Sequence, residues 1–155
     1  MVLHGGSEGE LSSYGMPDQL AYEWTCEELQ SDKIDIGEGQ RIPTLAQVLD
    51  LCQDKDDMLI NIELKAPWEM HNRVKYNYHN AVRVVYDMIM EQGIGHKVQV
   101  SSFIPEMIES LVNISKVEGR DFIISSLAME RQDIVGDTDG VNQYIIETDE
   151  AENQK

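Results

Sequence analysis

Residues 58–65 bring three chemically active groups onto one side of a predicted β-strand. The segment Met58-Leu59-Ile60-Asn61-Ile62-Glu63-Leu64-Lys65 alternates apolar and polar residues, and alternate side chains of a strand point to opposite faces. Asn61, Glu63 and Lys65 therefore share one face. A carboxylate binds a hard divalent cation, and an ammonium group neutralises an anionic oxygen such as that of a phosphate. The same spacing is compatible with a structural Glu63–Lys65 ion pair near the end of a sheet.

The elements around this strand predict an α/β fold with a parallel sheet. Helices are predicted over residues 45–52, 73–92 and 105–119, and further strands over residues 97–101, 122–124 and 141–146. Capping boxes at Thr25 and Thr44 mark two helix starts. Apart from the short helix after Thr25, residues 5–43 are predicted to be loop or irregular. Both faces of a parallel sheet are usually covered, so we expect Asn61, Glu63 and Lys65 to be buried and therefore paired or bound.

His4 is a candidate general acid or base. Residues 1–4 predict the end of a strand, Gly5-Gly6 follows at once, and barrel enzymes place catalytic groups at such ends. One carboxylate does not hold a metal ion alone, so Glu63 requires partners. The other three histidines are expected to be structural: His71, His79 and His96.

Charge and composition exclude several classes of ligand. The 155 residues include 29 acidic and 12 basic side chains, for a net charge of −17, which argues against nucleic acid and anionic membrane surfaces as partners. No segment approaches the roughly 18 apolar residues of a membrane span, and no signal peptide is visible, so we expect a cytoplasmic location. Cys26 and Cys52 have neither C-x-x-C nor zinc spacing, and Cys52 is expected to be a buried thiol.

Four short motifs occur in the order that they have in the glycerophosphodiester phosphodiesterase family, and the chain resembles this family from residue 1 to about 126. The motifs are Val2-Leu3-His4-Gly5-Gly6, then Ile42-Pro43-Thr44-Leu45 at a helix entry, Asn61-Ile62-Glu63-Leu64-Lys65, and Val100-Ser101-Ser102-Phe103.

The resemblance implies a partial TIM (β/α)8 barrel in residues 1–146, truncated at both ends, with residues 147–155 as an acidic C-terminal end. It also implies hydrolysis of glycerophosphodiesters, such as glycerophosphocholine, to glycerol 3-phosphate and an alcohol, with Mg²⁺ or Ca²⁺. His4 resembles the second of the family's two catalytic histidines, Glu63 its metal-binding glutamate, and Lys65 the lysine near the phosphate. The cation and Lys65 would offset charge on the phosphoryl oxygens while a histidine protonates the departing alkoxide.

The chain also departs from the family pattern. The H-R-G motif with the first histidine, the E-x-D pair with further metal ligands, and a late tryptophan-bearing strand have no counterpart, and His4-Gly5 replaces the commoner His-Asp. A complete barrel needs about 250 residues, so the resemblance implies an incomplete site. Two alternatives stay open. One is a non-catalytic half-barrel that associates with another chain or with itself through open sheet edges, and the other is a metal-dependent barrel hydrolase for a different phosphoester.

Overall fold

The computed structural model describes residues 1–2, 10–11, 16–32, 34–67, 76–128 and 140–146. Its helices and strands, in chain order, are β1 (Glu10–Leu11), β2 (Met16–Leu20), α1 (Cys26–Leu29), α2 (Leu45–Cys52), β3 (Ile60–Glu63), α3 (Tyr78–Gln92), β4 (Val98–Ser102), α4 (Pro105–Glu118), β5 (Ile123–Ala128) and β6 (Gln143–Ile146). The chain divides into two compact units. The N-terminal unit comprises Met1–Met58 and Lys65–Asn77, and the sheet unit comprises Leu59–Leu64 and Tyr78–Lys155.

The sheet unit confirms the predicted α/β class and parallel sheet. Strands β3, β4, β5 and β6 lie side by side in chain order, and all three pairings are parallel. Helix α3 connects β3 to β4, and α4 connects β4 to β5. Because such crossovers are right-handed and both advance in the same direction across the sheet, the two helices lie on one face.

The core of the sheet unit lies where this helical layer meets the sheet, and α4 contacts α3, β4 and β5. The apolar residues that recur at helical spacing in the sequence predict the buried faces of both helices. They are buried, apart from the half-buried Val85: Val82, Val85, Tyr86 and Ile89 in α3, and Ile108, Leu111 and Val112 in α4. Side chains with no exposed surface come from both helices and from two strands: Val82, Ile89, Met107, Leu111, Val100 and Ile124.

Polar contacts join the two helices beside this core. The Arg83 guanidinium in α3 pairs with Glu118 at the end of α4 and donates from Nε to Asp87 Oδ2 at 3.0 Å. Both hydrogen bonds raise the pKa of Arg83, and the bond to Glu118 has the larger effect. The Tyr86 hydroxyl donates to the Gly119 carbonyl oxygen at 2.5 Å, and burial raises the pKa of Tyr86. Helix α3 is thereby fixed to the end of α4.

Arg120 forms hydrogen bonds with residues 140–142, the segment that leads into β6. Its guanidinium donates to the carbonyl oxygens of Phe122 (2.7 Å) and Gly140 (2.6 Å) and to Asn142 Oδ1 (2.5 Å). Asn142 in turn bonds both backbone polar groups of Ile124, accepting at 2.8 Å and donating at 2.9 Å. Burial lowers the pKa of Arg120. These bonds set the position at which β6 joins the sheet.

The N-terminal unit contains the antiparallel pair β1–β2 and the short helices α1 and α2. Both predicted capping boxes are confirmed: Thr25 exchanges hydrogen bonds with Glu28, and Thr44 exchanges them with Gln47. Four apolar residues form a buried cluster in this unit: Leu11, Leu29, Ile34 and Ile42.

Several sequence-based boundaries are wrong. The prediction of loop and irregular chain over residues 5–43 missed β1 and β2, because Met16-Pro17-Asp18-Gln19-Leu20 contains a proline and lacks alternation. The strand predicted over residues 58–65 is limited to Ile60–Glu63. Helix α3 begins at Tyr78, since Asn77 has a φ of 48° that interrupts the helical backbone, and residues 73–75 of the predicted helix lie outside the described part of the chain.

Two smaller corrections concern strands. Residues 1 and 2 belong to no strand, and residues 3–9 lie outside the described part of the chain. Strand β5 continues to Ala128 rather than ending at residue 124.

Cys26 and Cys52 are both thiols, and Cys52 is buried as predicted. Cys26 Sγ lies 3.3 Å from Met1 Sδ. Among the helices of the described residues, none combines the length and the apolar character that crossing a membrane demands.

Candidate functional site on the polar face of the sheet

Strand β3 presents Asn61 and Glu63 on one face of the sheet. Both are exposed, whereas Ile60 and Ile62, which alternate with them, are half-buried, so the predicted alternation is confirmed. The expectation that Asn61 and Glu63 are buried is wrong, because α3 and α4 cover the opposite face and leave these side chains in water. Glu63 is the last residue of β3, at the carboxyl end where parallel sheets carry their functional groups.

The neighbouring strands continue this face. Side chains that are in register on parallel strands point to the same side, and adjacent strands lie about 4.8 Å apart. The register places Ser101, Ser125 and Gln143 in one row with Glu63, and Gln99 and Ile123 in the next row with Asn61. We call these seven residues the polar face: Asn61, Glu63, Gln99, Ser101, Ile123, Ser125 and Gln143.

Two buried serines orient the amides of the polar face. Ser101 and Ser125 have no exposed surface. Ser101 Oγ donates to Asn61 Oδ1 at 3.1 Å, and Gln143 Nε2 donates to both Ser125 Oγ and Gln99 Oε1 at 2.8 Å. Within this network Asn61 and Gln99 keep amide N–H donors to offer, and Gln143 keeps its carbonyl oxygen. The polar face therefore displays directed donors and acceptors next to a carboxylate.

The serine pair in the motif Val100-Ser101-Ser102-Phe103 serves both faces of the sheet. Ser101 lies on the polar face, whereas Ser102 points to the helical side, where its Oγ donates to the Leu64 carbonyl oxygen at 2.7 Å. Ser102 Oγ also accepts from the Ile104 backbone N–H at 3.0 Å. The Leu64 N–H donates to the Ser101 carbonyl oxygen at 2.7 Å. These bonds hold β3 and β4 together just beyond Glu63.

The two other predicted site residues are Lys65 and His4. Lys65 is half-buried and belongs to the N-terminal unit, whereas Glu63 belongs to the sheet unit. The Glu63–Lys65 pairing therefore stays a prediction, and His4 lies outside the described residues.

The structure describes two of the three histidines that are expected to be structural. His79 is exposed, its Nδ1 lies 3.2 Å from Ser110 Oγ, and its ring stacks on Tyr78 with centroids 4.1 Å apart. His96 is exposed in a single turn of 3-10 helix, and His71 lies outside the described residues.

The donor set at Glu63 fits a cation that keeps most of its water. In the described part of the chain, no group of three or more His, Cys, Asp and Glu side chains is arranged to hold a metal ion. Glu63 offers one exposed carboxylate. Mg²⁺ commonly binds in this way, through one or two carboxylates, several waters and a substrate phosphate. What Glu63 contributes is thus a single anionic oxygen ligand.

The sequence alone did not identify Gln99, Ser125 and Gln143 as site residues. A signal was present for Gln99, which lies between Val98 and Val100. Ser125 lies between Ile124 and Ser126 and has no such alternation. Only the register, however, shows which of these side chains lie next to Glu63.

Comparison with models of known protein families and with curated proteins gives no match to either.

Proposed function

We propose that the chain carries part of a site for the metal-dependent hydrolysis of glycerophosphodiesters to glycerol 3-phosphate and an alcohol. The observation that carries this proposal is the exposed Glu63 carboxylate at the carboxyl end of β3, in a parallel sheet whose strands follow chain order. Chain order is typical of a β/α barrel, whereas a doubly wound sheet reverses its order at a switch point. A partial TIM barrel, with the polar face inside, is the architecture that we propose.

Three residues have roles in the proposed reaction. Glu63 holds a divalent cation, Mg²⁺ or Ca²⁺, and a bound cation of this kind stabilises negative charge on phosphoryl oxygens. By the motif resemblance, Lys65 binds the substrate phosphate and His4 protonates the departing alkoxide. In a chain with a net charge of −17, an anionic substrate needs such local positive charge to approach the protein.

The proposal is tested by the binding of glycerol 3-phosphate, measured by titration calorimetry with Mg²⁺, with Ca²⁺ and with EDTA. We expect binding that requires a cation and that Glu63→Gln weakens at least about 10-fold. Replacing a residue that only hydrogen-bonds to a metal ligand already lowers metal affinity by about this factor, and Glu63 is proposed to be a ligand itself. Glu109→Gln, which removes an exposed carboxylate from α4, is the matched control and should bind as the wild type does.

Two results would contradict the proposed function. One is the absence of cation-dependent binding, and the other is binding that survives Glu63→Gln. Release of glycerol 3-phosphate from glycerophosphocholine is followed in the same solutions. Release that needs both the cation and Glu63 supports the proposal, and release that needs neither overturns it.

A second candidate function is a non-catalytic module that associates with another chain or with a second copy of itself. Strands β3 and β6 are the two edges of the described sheet, and Leu59, directly before β3, is 85% exposed. An edge strand is a template for pairing with another chain unless charge or a covering element protects it.

Leu59→Lys tests this second function. A lysine at a strand edge opposes pairing, so we expect the variant to lose the concentration-dependent self-association of the wild type in sedimentation velocity. Val117→Lys replaces an equally exposed residue (85%) on α4 and should associate as the wild type does. A wild-type chain that stays monomeric at every concentration would exclude self-association.

A further inference from the structure

Three amide side chains on the polar face form a cluster beside Glu63. Asn61 and Gln143 are exposed, and Gln99 is half-buried. The Gln143 side chain extends from β6 across β5 and donates a hydrogen bond to Gln99 on β4. The same nitrogen donates to Ser125 on β5. We call Asn61, Gln99 and Gln143 the amide cluster.

The amide cluster has a fixed hydrogen-bonding direction. Asn61 is held through its oxygen by Ser101, and Gln143 is held through its nitrogen by Ser125 and Gln99. The groups left to bind a ligand are the amide nitrogens of Asn61 and Gln99 and the carbonyl oxygen of Gln143. Each of the three amides is thus held by at least one hydrogen bond, and the cluster offers both donors and acceptors that are already oriented.

This combination suits hydroxyl groups rather than another phosphate. A hydroxyl both donates and accepts, so it matches a surface that offers both kinds of partner. The amides carry no charge, whereas the strongest hydrogen bonds to phosphate come from cationic groups such as Arg and Lys. Ile123, which is 44% exposed in the same row as Asn61 and Gln99, adds apolar surface for a carbon chain.

The geometry points to a polyol subsite: we infer that the amide cluster binds the hydroxyl groups of the glycerol moiety while the phosphate of the same ligand lies at the cation on Glu63. This inference rests on the proposed function, which supplies the phosphate and the cation. It adds the part of the substrate that is recognised and the residues that recognise it.

The test compares glycerol 3-phosphate with methyl phosphate, which lacks the hydroxyl groups, in the presence of Mg²⁺. We expect the wild type to bind glycerol 3-phosphate at least about 5-fold more tightly, the gain from two net-favourable hydrogen bonds. Asn61→Leu and Gln143→Leu should each reduce this preference and leave the affinity for methyl phosphate unchanged. Asn113→Leu, at an exposed position on α4, is the matched control and should keep the full preference.

A second measurement does not depend on the folding of the variants. In the wild-type chain, the side-chain NH₂ resonances of Asn61, Gln99 and Gln143 are followed by NMR during titration with glycerol alone. We expect all three to shift, whereas the NH₂ resonances of Asn113 stay in place.

The outcomes separate the two proposals. If both phosphates bind equally well with Mg²⁺ and glycerol shifts none of the three amides, the polyol subsite is wrong and the proposed function stands. If neither phosphate binds but glycerol shifts the amides, the binding of hydroxyl groups by the amide cluster stands, and the proposed function, with its phosphate at the cation on Glu63, is wrong. If no ligand has any effect, both are wrong.

Discussion

Replacing Leu111 with alanine is expected to lower the free energy of unfolding by about 2–5 kcal/mol. Leu111 has no exposed surface and lies on the face of α4 that packs in the core of the sheet unit. The truncation removes apolar burial and leaves a cavity, and both effects destabilise the folded state. Urea denaturation followed by circular dichroism at 222 nm measures the change, because α3 and α4 are the longest described helices.

Val117→Ala is the control for Leu111→Ala. It truncates an apolar residue of the same helix that is 85% exposed, so we expect a change within about 0.5 kcal/mol. The two variants share the loss of methyl groups from α4 and differ in burial. Equal midpoints and slopes for both would contradict the packing of α4 against the sheet.

Gly140→Ala is expected to lower the free energy of unfolding by about 2–4 kcal/mol, from two separate sources. Gly140 has a φ of 113°, a conformation that strains any residue with a Cβ atom. A Cβ atom there would also lie 2.8 Å from Val112 Cγ1. The residue has little room to move, because its carbonyl oxygen accepts from Arg120 Nη2. The same urea titration gives the value.

Gly93→Ala and a double variant separate the two sources. Gly93 has a φ of 64° with no atom near the position of an added Cβ, so Gly93→Ala carries conformational strain alone, about 1–2 kcal/mol. In Val112→Ala/Gly140→Ala the clash is relieved, and the double variant should be more stable than the sum of the single effects predicts. Additive effects would show that the clash contributes nothing.

The sequence predicts those elements of the fold whose signals are local. Capping boxes at Thr25 and Thr44 fixed two helix starts, and the spacing of apolar residues identified the buried faces of α3 and α4. Strand β2 has no local signal, because Met16–Leu20 contains Pro17 and Asp18 and pairs only with the two-residue β1. Its existence depends on tertiary pairing, which periodicity does not encode.

The candidate site is predictable in part for the same reason. Glu63 and Asn61 are identified by the alternation within β3. The contacts of Asn61 with Ser101 and of Gln143 with Gln99 join residues about forty positions apart and follow from strand register. The register of the strands is set by the packing of the helix-covered face of the sheet, so it cannot be predicted from the sequence of any one strand.

The polar face also has a consequence for how accurately the sheet assembles. Successive residues of a strand face opposite sides, so a slip of β4 by one position would exchange Val100 and Ser101. The valine would then lie among the amide side chains of the polar face, and the serine hydroxyl would enter the apolar layer under α4 without Asn61 to accept its hydrogen bond. A misaligned sheet thus loses apolar packing and hydrogen bonds together. The polar face proposed to bind a ligand therefore also disfavours any pairing in which a strand is shifted by an odd number of residues during folding.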